Sequence, residues 1–237
     1  MSERSGALSE RVARDVVLVH GAWADGSCWS EVIAQLQRAD YEVRAVQLAE
    51  RSLADDAALV RHAVASIPRP VIVAGHSYGG FVTSEATSGL ENVKGLVFVA
   101  AFAPERGETI GALTAPHPTP AIANLVVDDQ GNSIIEPNAF VRYFASDLPK
   151  AQARVLAAVQ HPTALAILTS VAGEPGWRSI PSYYQVSLDD EVIAPALQRF
   201  FAQRMKAHTI ELRASHVSLL SHPQKVAALI ELAARGR

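Results

Sequence analysis

The chain has 237 residues, of which 49% are hydrophobic and 19% charged. That composition feeds one large core and excludes a disordered chain. The formal net charge is −3, and the scattered Lys and Arg exclude a nucleic-acid surface or an anionic-membrane patch.

Residues 1–14 are polar, without the apolar centre of a secretory signal, and read as a short frayed tail. Residues 15–19 (DVVLV) form the first strand. Cys28 is the single cysteine, so no internal disulfide is expected, which agrees with a cytoplasmic location. Residues 29–39 (WSEVIAQLQRA) carry apolar side chains at helical spacing, and residues 42–48 alternate as a strand does. Residues 52–67 predict a helix, with Ser52 as N-cap and Asp55 and Asp56 in the first turn, where the helix dipole favours acids. The apolar run 70–74 (PVIVA) leads into a turn at Ser77, and residues 81–88 continue the helix behind it. Residues 94–101 (KGLVFVAA) read as a buried strand. Residues 182–188 and 208–214 predict two later strands. Residues 195–206 and 222–234 predict helices, the last capped by Ser221. No apolar run approaches the ~20 residues that cross a bilayer.

This alternation predicts an α/β fold, with a mostly parallel sheet and helices on both faces. Residues 104–177 break the rhythm. They are rich in Pro, Ala and Thr, with short helical pieces at 138–145 and 150–159. The expectation is a core of residues 1–103 and 178–237. A small helical cap, residues 104–177, is inserted after the strand ending near Ala101. It would cover the C-terminal edge of the sheet, where open α/β folds bind ligands. An ordinary long crossover of helices is the alternative.

Gly75-His76-Ser77-Tyr78-Gly79 is a G-x-S-x-G pentapeptide between a strand and a helix. A serine there sits on a sharp turn with its hydroxyl pushed out over the sheet edge. A serine hydroxyl is a weak nucleophile near neutral pH and needs a base, which in turn needs an orienting acid. On such a turn the chain order is Ser, then Asp or Glu, then His. His20 and His76 precede the serine. His62 lies mid-helix, His117 and His161 fall in the expected cap, and His208 opens a strand. His216 follows a late strand and is the expected base, whereas His222, beside Pro223, reads as a helix start. The acid should leave the strand 182–188, where Asp189, Asp190 and Glu191 are adjacent; spacing alone does not choose among them. Backbone N–H groups for a developing oxyanion are expected from Tyr78 and from Ala22, in the loop His20-Gly21-Ala22-Trp23. His20 reads as a scaffold residue. No Cys/His cluster has metal-ligand spacing, so no metal is expected.

The segments Val17 through Trp23, Gly75 through Gly80, Asp189 through Pro195, and Ala214-Ser215-His216 make the chain resemble the α/β-hydrolase superfamily over essentially its full length. Within it, the resemblance is to the small-cap branch of plant methylesterases, hydroxynitrile lyases and related bacterial esterases. In those relatives the acid lies a few residues before an Ile-x-Pro element, which implies Asp190 here, with Asp189 in reserve. The resemblance implies a serine carboxylesterase that uses no cofactor and cleaves small to medium esters through an acyl-enzyme. A lactonase or acyltransferase would use the same residues. Hydroxynitrile lyases of one stereopreference carry Lys directly after the catalytic histidine, where this chain has Val217. They carry Thr, or Asn in those of the opposite preference, where this chain has Gly21. Both departures favour hydrolysis over that C–C lyase chemistry. Dehalogenase relatives use an aspartate where Ser77 stands, and a binding-only module, like the superfamily's hormone receptors, has no use for an intact triad. The expected partner is a small-molecule ester, with no nucleic acid and no membrane; analogy with capped hydrolases leaves a homodimer open. Trp23, Trp29, Phe81, Phe102, Phe140, Phe144 and Trp177 are the aromatics available to a pocket between core and cap.

Overall fold

A computed structural model of the chain describes residues 13–236. The tail read at residues 1–14 lies almost wholly outside the described residues. The strands in chain order are β1 (Asp15–Val19), β2 (Glu42–Val46), β3 (Val71–His76), β4 (Val93–Val99), β5 (Leu125–Val127), β6 (Asn132–Ile135), β7 (Thr163–Ala164), β8 (Ser182–Ser187) and β9 (His208–Leu212). Six of them form one all-parallel sheet in the order β2-β1-β3-β4-β8-β9.

The central strands are Val/Ile-rich, and every residue of β1 and β3 is buried. A parallel sheet covered on both faces has no wet side, so its strands lose the alternation of a half-exposed strand. The edges behave differently. β2 exposes Glu42 and β9 exposes His208 and Glu211, charges and polar groups that discourage pairing with another chain.

The longer helices are α1 (Ser30–Arg38), α2 (Leu53–Ala65), α3 (Tyr78–Thr87), α8 (Pro195–Arg204) and α10 (Pro223–Ala234), numbered with the short α4 (Ile110–Thr114), α5 (Pro137–Ala139), α6 (Lys150–Ala158), α7 (Ala166–Thr169) and α9 (Ser218–Ser221). α10 packs on α1 and on β3, β4 and β8, while α3 packs on α2 and on β1, β3 and β4. Ser52 caps α2 as expected, its hydroxyl accepting from the Asp55 N–H. Ser221 does not cap the last helix. It ends α9, and α10 starts on His222 with Pro223 in its first turn. Proline lacks the N–H that a cap would satisfy and presets the helical φ. Among the described residues, no helix is long and apolar enough to cross a membrane.

Between β4 and β8 the chain leaves the sheet. This stretch carries short helices, a π-helical turn at Phe140–Phe144 and a three-stranded antiparallel sheet, β5-β6-β7. The sheet departs from the all-helical expectation for this region. Strands of two to four residues are too short to show a period.

The turn after β3 depends on two glycines. A Cβ on Gly75 would fall on the backbone of Gly79 and Gly80, and one on Gly79 would fall on the carbonyl oxygens of Val19 and His20. None of these backbone atoms can step aside without moving the end of β1, the loop after it or the first turn of α3. Gly75→Ala is therefore expected to cost about 3 kcal/mol or more, the upper range for overpacking. A chemical denaturation midpoint unchanged from wild type would refute this.

Candidate active site

The parallel register pairs Val19 with Gly75, His76 with Val99, Val99 with Gln185 and Ser187 with Leu212. The segments leaving β1, β3, β8 and β9 therefore emerge along one edge, the carboxyl end of the sheet. The strand order reverses there between β1 and β3, where such sheets open a crevice.

Ser77 is buried, at φ 53° and ψ −123°. That left-handed φ is uncommon for a residue with a side chain. It is held because the Ser77 N–H donates to Val99 O (3.2 Å) and its carbonyl accepts from Gly80 N–H (3.0 Å) and Phe102 N–H (3.1 Å). A Cβ at Gly21 would sit 2.6 Å from Ser77 Cβ and 3.1 Å from His76 Nδ1. The loop after β1 thus lies against the serine turn.

His216 Nδ1 lies 2.8 Å from Asp190 Oδ2, and both side chains are buried. Asp190 Oδ1 also accepts from the Val192 and Ile193 N–H groups (2.8 and 3.0 Å), and Oδ2 from the Gln198 amide (2.7 Å). Several donors around one carboxylate fix it in its acceptor role. The His216 proton then belongs on Nδ1, which leaves Nε2 as the basic nitrogen. Nε2 is buried without a hydrogen-bond partner among the described residues; the Ser77 hydroxyl does not reach it in this conformation. Resting enzymes often show long catalytic hydrogen bonds that tighten around substrate. Of the other carboxylates read as alternatives, Asp189 is half-exposed and lies 3.4 Å from Arg213. Among the described residues, the carboxylate paired with His216 is that of Asp190, not Glu191.

The His216 ring is wedged between Phe144, edge-on at 4.8 Å, and His76 at 4.6 Å. His76 Nε2–H donates to the His216 carbonyl (2.9 Å). Burial above all, and then the neighbouring His216, push the His76 imidazole well below its ordinary range, so it stays neutral. Asp147 holds the adjoining Ser215 through its N–H (3.0 Å) and its hydroxyl.

Tyr78 N–H opens α3 and has no intrahelical acceptor. The Tyr78 hydroxyl donates to the buried Asp56 (2.9 Å). Near Ala22, Trp23 N–H donates to Glu50 Oε2 (3.2 Å) and Thr163 Oγ1 (3.0 Å). His20 accepts at Nε2 from Leu48 N–H (2.9 Å), so its proton is on Nδ1, facing Gly21 O at 2.9 Å. His20 thus joins backbone groups of the loops after β1 and β2.

Sequence reasoning missed Gln198, Asp147, Glu50 and Thr163. Gln198 left one signal, a polar residue on the buried face of α8 beside Leu197 and Phe201. The other three give none. Of the aromatics, Trp23, Phe140 and Phe144 line an apolar pocket together with Cys28, Leu156 and Val217, with about 40 Å³ open to a water-sized molecule. Trp29 and Phe81 are core residues. Phe102 packs on Phe201, and Trp177 donates to Pro104 O.

An all-parallel sheet with a strained strand-to-helix serine turn and a buried His–Asp pair at its carboxyl edge defines a doubly wound α/β protein of the hydrolase type. The chain belongs to the alpha/beta hydrolase family, whose model matches residues 16–229. It is 24% identical to Methylesterase 8 of Arabidopsis thaliana over 245 residues, covering 91% of this chain and 87% of the relative. It is 26% identical to a pyrethroid hydrolase of Sphingobium wenxiniae over 240 residues, covering 91% and 86%. The crystal structure of a pyrethroid hydrolase from Sphingobium faniae superposes with a TM-score of 0.80 at 23% identity, covering 94% of this chain and 97% of that one.

Proposed function

We propose that the protein is a serine carboxylesterase with Ser77, His216 and Asp190 as its triad. The observation that carries this reading is the buried His216–Asp190 pair with its free Nε2, at the sheet edge where the strained Ser77 turn also lies. Methylesterase relatives of near full-length coverage support ester bonds as the target.

Ser77 Oγ attacks the ester carbonyl carbon while its proton passes to His216 Nε2. The C–O bond to the alcohol breaks, and Nε2 returns the proton to the departing oxygen. Water then attacks the acyl-enzyme by the same route, releasing the carboxylic acid and restoring Ser77. Asp190 fixes the imidazole and stabilises the cation formed midway. The N–H groups of Ala22 and Tyr78 receive the negative charge on the carbonyl oxygen. Each such donor is worth about 10²–10³ in rate. Residues 104–177 act as the cap: they contribute Phe140 and Phe144 to the pocket and Asp147 to the base loop.

Val217 is buried and lines the pocket, so position 217 brings no cation to the base to stabilise cyanide. Gly21 has no room for the side chain a lyase would place there. Both favour hydrolysis over C–C cleavage.

The small, mostly apolar pocket is lined by Phe144, which packs on His216, and by Val217, not by Ser77 or His216 themselves; taken as the acyl site, it fits short acyl chains. Among p-nitrophenyl esters from C2 to C8, kcat/KM is expected to be highest at C2 to C4 and to fall by C8. A folded protein that turns over none of them would overturn the esterase reading.

A further inference from the structure

One buried acid has no part in that chemistry. Glu50 follows β2 and has no exposed surface. Its backbone is left-handed, at φ 54°. It is held there because Glu50 N–H and Ala49 N–H both donate to Asp56 Oδ1 (3.1 and 3.0 Å), and Ala164 N–H donates to the Glu50 carbonyl (2.9 Å). Strain of this kind persists where the surroundings over-determine it, and it clusters at functional sites. A buried carboxyl is also costly unless paired, and an apolar residue would be easier to bury.

The partners of this carboxyl bracket one dipeptide. Oε2 accepts from Trp23 N–H at 3.2 Å and from the Thr163 hydroxyl, which itself accepts from Trp23 N–H at 3.0 Å. Oε1 lies 3.3 Å from His20 Nδ1, a close contact but not a hydrogen bond, since that nitrogen faces Gly21 O. Glu50 thus touches the residues on either side of Gly21-Ala22. Trp23 is itself left-handed, at φ 60°, so the loop would relax to another path without these contacts. On the other side, Asp56 joins the same network to Tyr78 through its hydroxyl.

We propose that Glu50 is a positioning residue for the oxyanion hole. Through Trp23, His20 and Thr163 it fixes the Gly21–Ala22 peptide so that Ala22 N–H faces the charge that develops on the substrate carbonyl oxygen. Glu50 touches no reacting atom. The inference rests on the esterase reading. Thr163 belongs to the stretch between β4 and β8, so that stretch takes part in setting the loop.

The test compares Glu50→Ala, Glu50→Gln and Thr163→Val with wild type and Ser77→Ala, using p-nitrophenyl acetate. Glu50→Ala is expected to lower kcat about 100-fold, as for a displaced oxyanion donor, with KM within about twofold. Glu50→Gln keeps an acceptor for Trp23 N–H and should stay within about tenfold of wild type. Thr163→Val should lower kcat by about tenfold, and it decides the matter if Glu50→Ala does not fold. A methyl trifluoromethyl ketone, which forms an oxyanion adduct on the serine, should bind more weakly by the same factor as kcat/KM falls. Inhibition by acetate, the product, should not change. Folded variants with wild-type kcat, or equal weakening of ketone and acetate, would overturn the inference. Turnover surviving in Ser77→Ala would instead overturn the esterase reading beneath it.

Discussion

Ser77→Ala is expected to lower kcat for p-nitrophenyl acetate by about 10⁵-fold or more while the protein stays folded. Loss of a serine nucleophile that works as a unit with its base costs about as much as loss of the whole triad, on the order of 10⁶. Stability should change little. Alanine bears the same Cβ, so the left-handed strain at φ 53° is the same before and after. The bonds that hold the turn run through the backbone, from Ser77 N–H to Val99 O and from Gly80 and Phe102 N–H to Ser77 O. His216 Nε2 already lacks a partner and gains no new deficit. The site is buried, but trading a hydroxymethyl for a methyl there opens little space and breaks no bond of the turn, so the cost should stay within about 1 kcal/mol. The check is paired: initial rates and a thermal melt. Intact-mass measurement adds an independent reading, because a fluorophosphonate should add one adduct to wild type and none to the variant. Turnover above about 1% of wild type in a clean preparation would remove Ser77 from the nucleophile's role.

Much of this was legible because it is local. The serine turn is written in five consecutive residues, since the glycines it requires sit within two positions of Ser77. β1 and β3 announce themselves as apolar runs because both faces of the sheet are covered. Ser52 could be read as a cap because its partner, Asp55, is three residues away. What failed to show depends on partners distant in the chain. Glu50 meets Thr163 across 113 positions and Asp147 meets Ser215 across 68. No pattern in the intervening sequence fixes those meetings. Asp56 looked like an ordinary first-turn acid on α2, yet it is buried and accepts from Tyr78, Ala49 and Glu50. Ser221 looked like a cap because Ser-His-Pro resembles a helix start, but Pro223 in the first turn made a side-chain cap unnecessary. The three adjacent carboxylates after β8 could not be separated by spacing. Successive residues leaving a strand point in different directions, and only the folded loop sets which one turns inward.

That last point bears on Asp190→Asn, which is expected to lower kcat/KM by about 10⁴ and to destabilise the fold as well. The rate loss comes from the imidazole. Asp190 Oδ2 accepts from His216 Nδ1 at 2.8 Å and keeps the proton on that nitrogen. An amide there can donate instead, which stabilises the tautomer with its proton on Nε2, unable to act as base; the equivalent change in a serine protease costs about 10⁴. The stability loss comes from the neighbours. Asn Oδ1 can still accept from Val192 and Ile193 N–H, as Asp190 Oδ1 does. That choice leaves the amide nitrogen facing the Gln198 Nε2–H, which now donates to Oδ2 at 2.7 Å. Two donors then meet in a buried site. Flipping the amide relieves that clash and orphans the two backbone N–H groups instead. Either way an unpaired buried group costs about 1–3 kcal/mol. Asp189→Asn is the matched control. Its carboxylate is half-exposed and only 3.4 Å from the exposed Arg213, a surface pair of little worth, so rate and melting temperature should stay near wild type. A loss of activity in Asp189→Asn with Asp190→Asn near wild type would move the acid by one residue and leave the buried Asp190–Gln198 pair as a purely structural anchor.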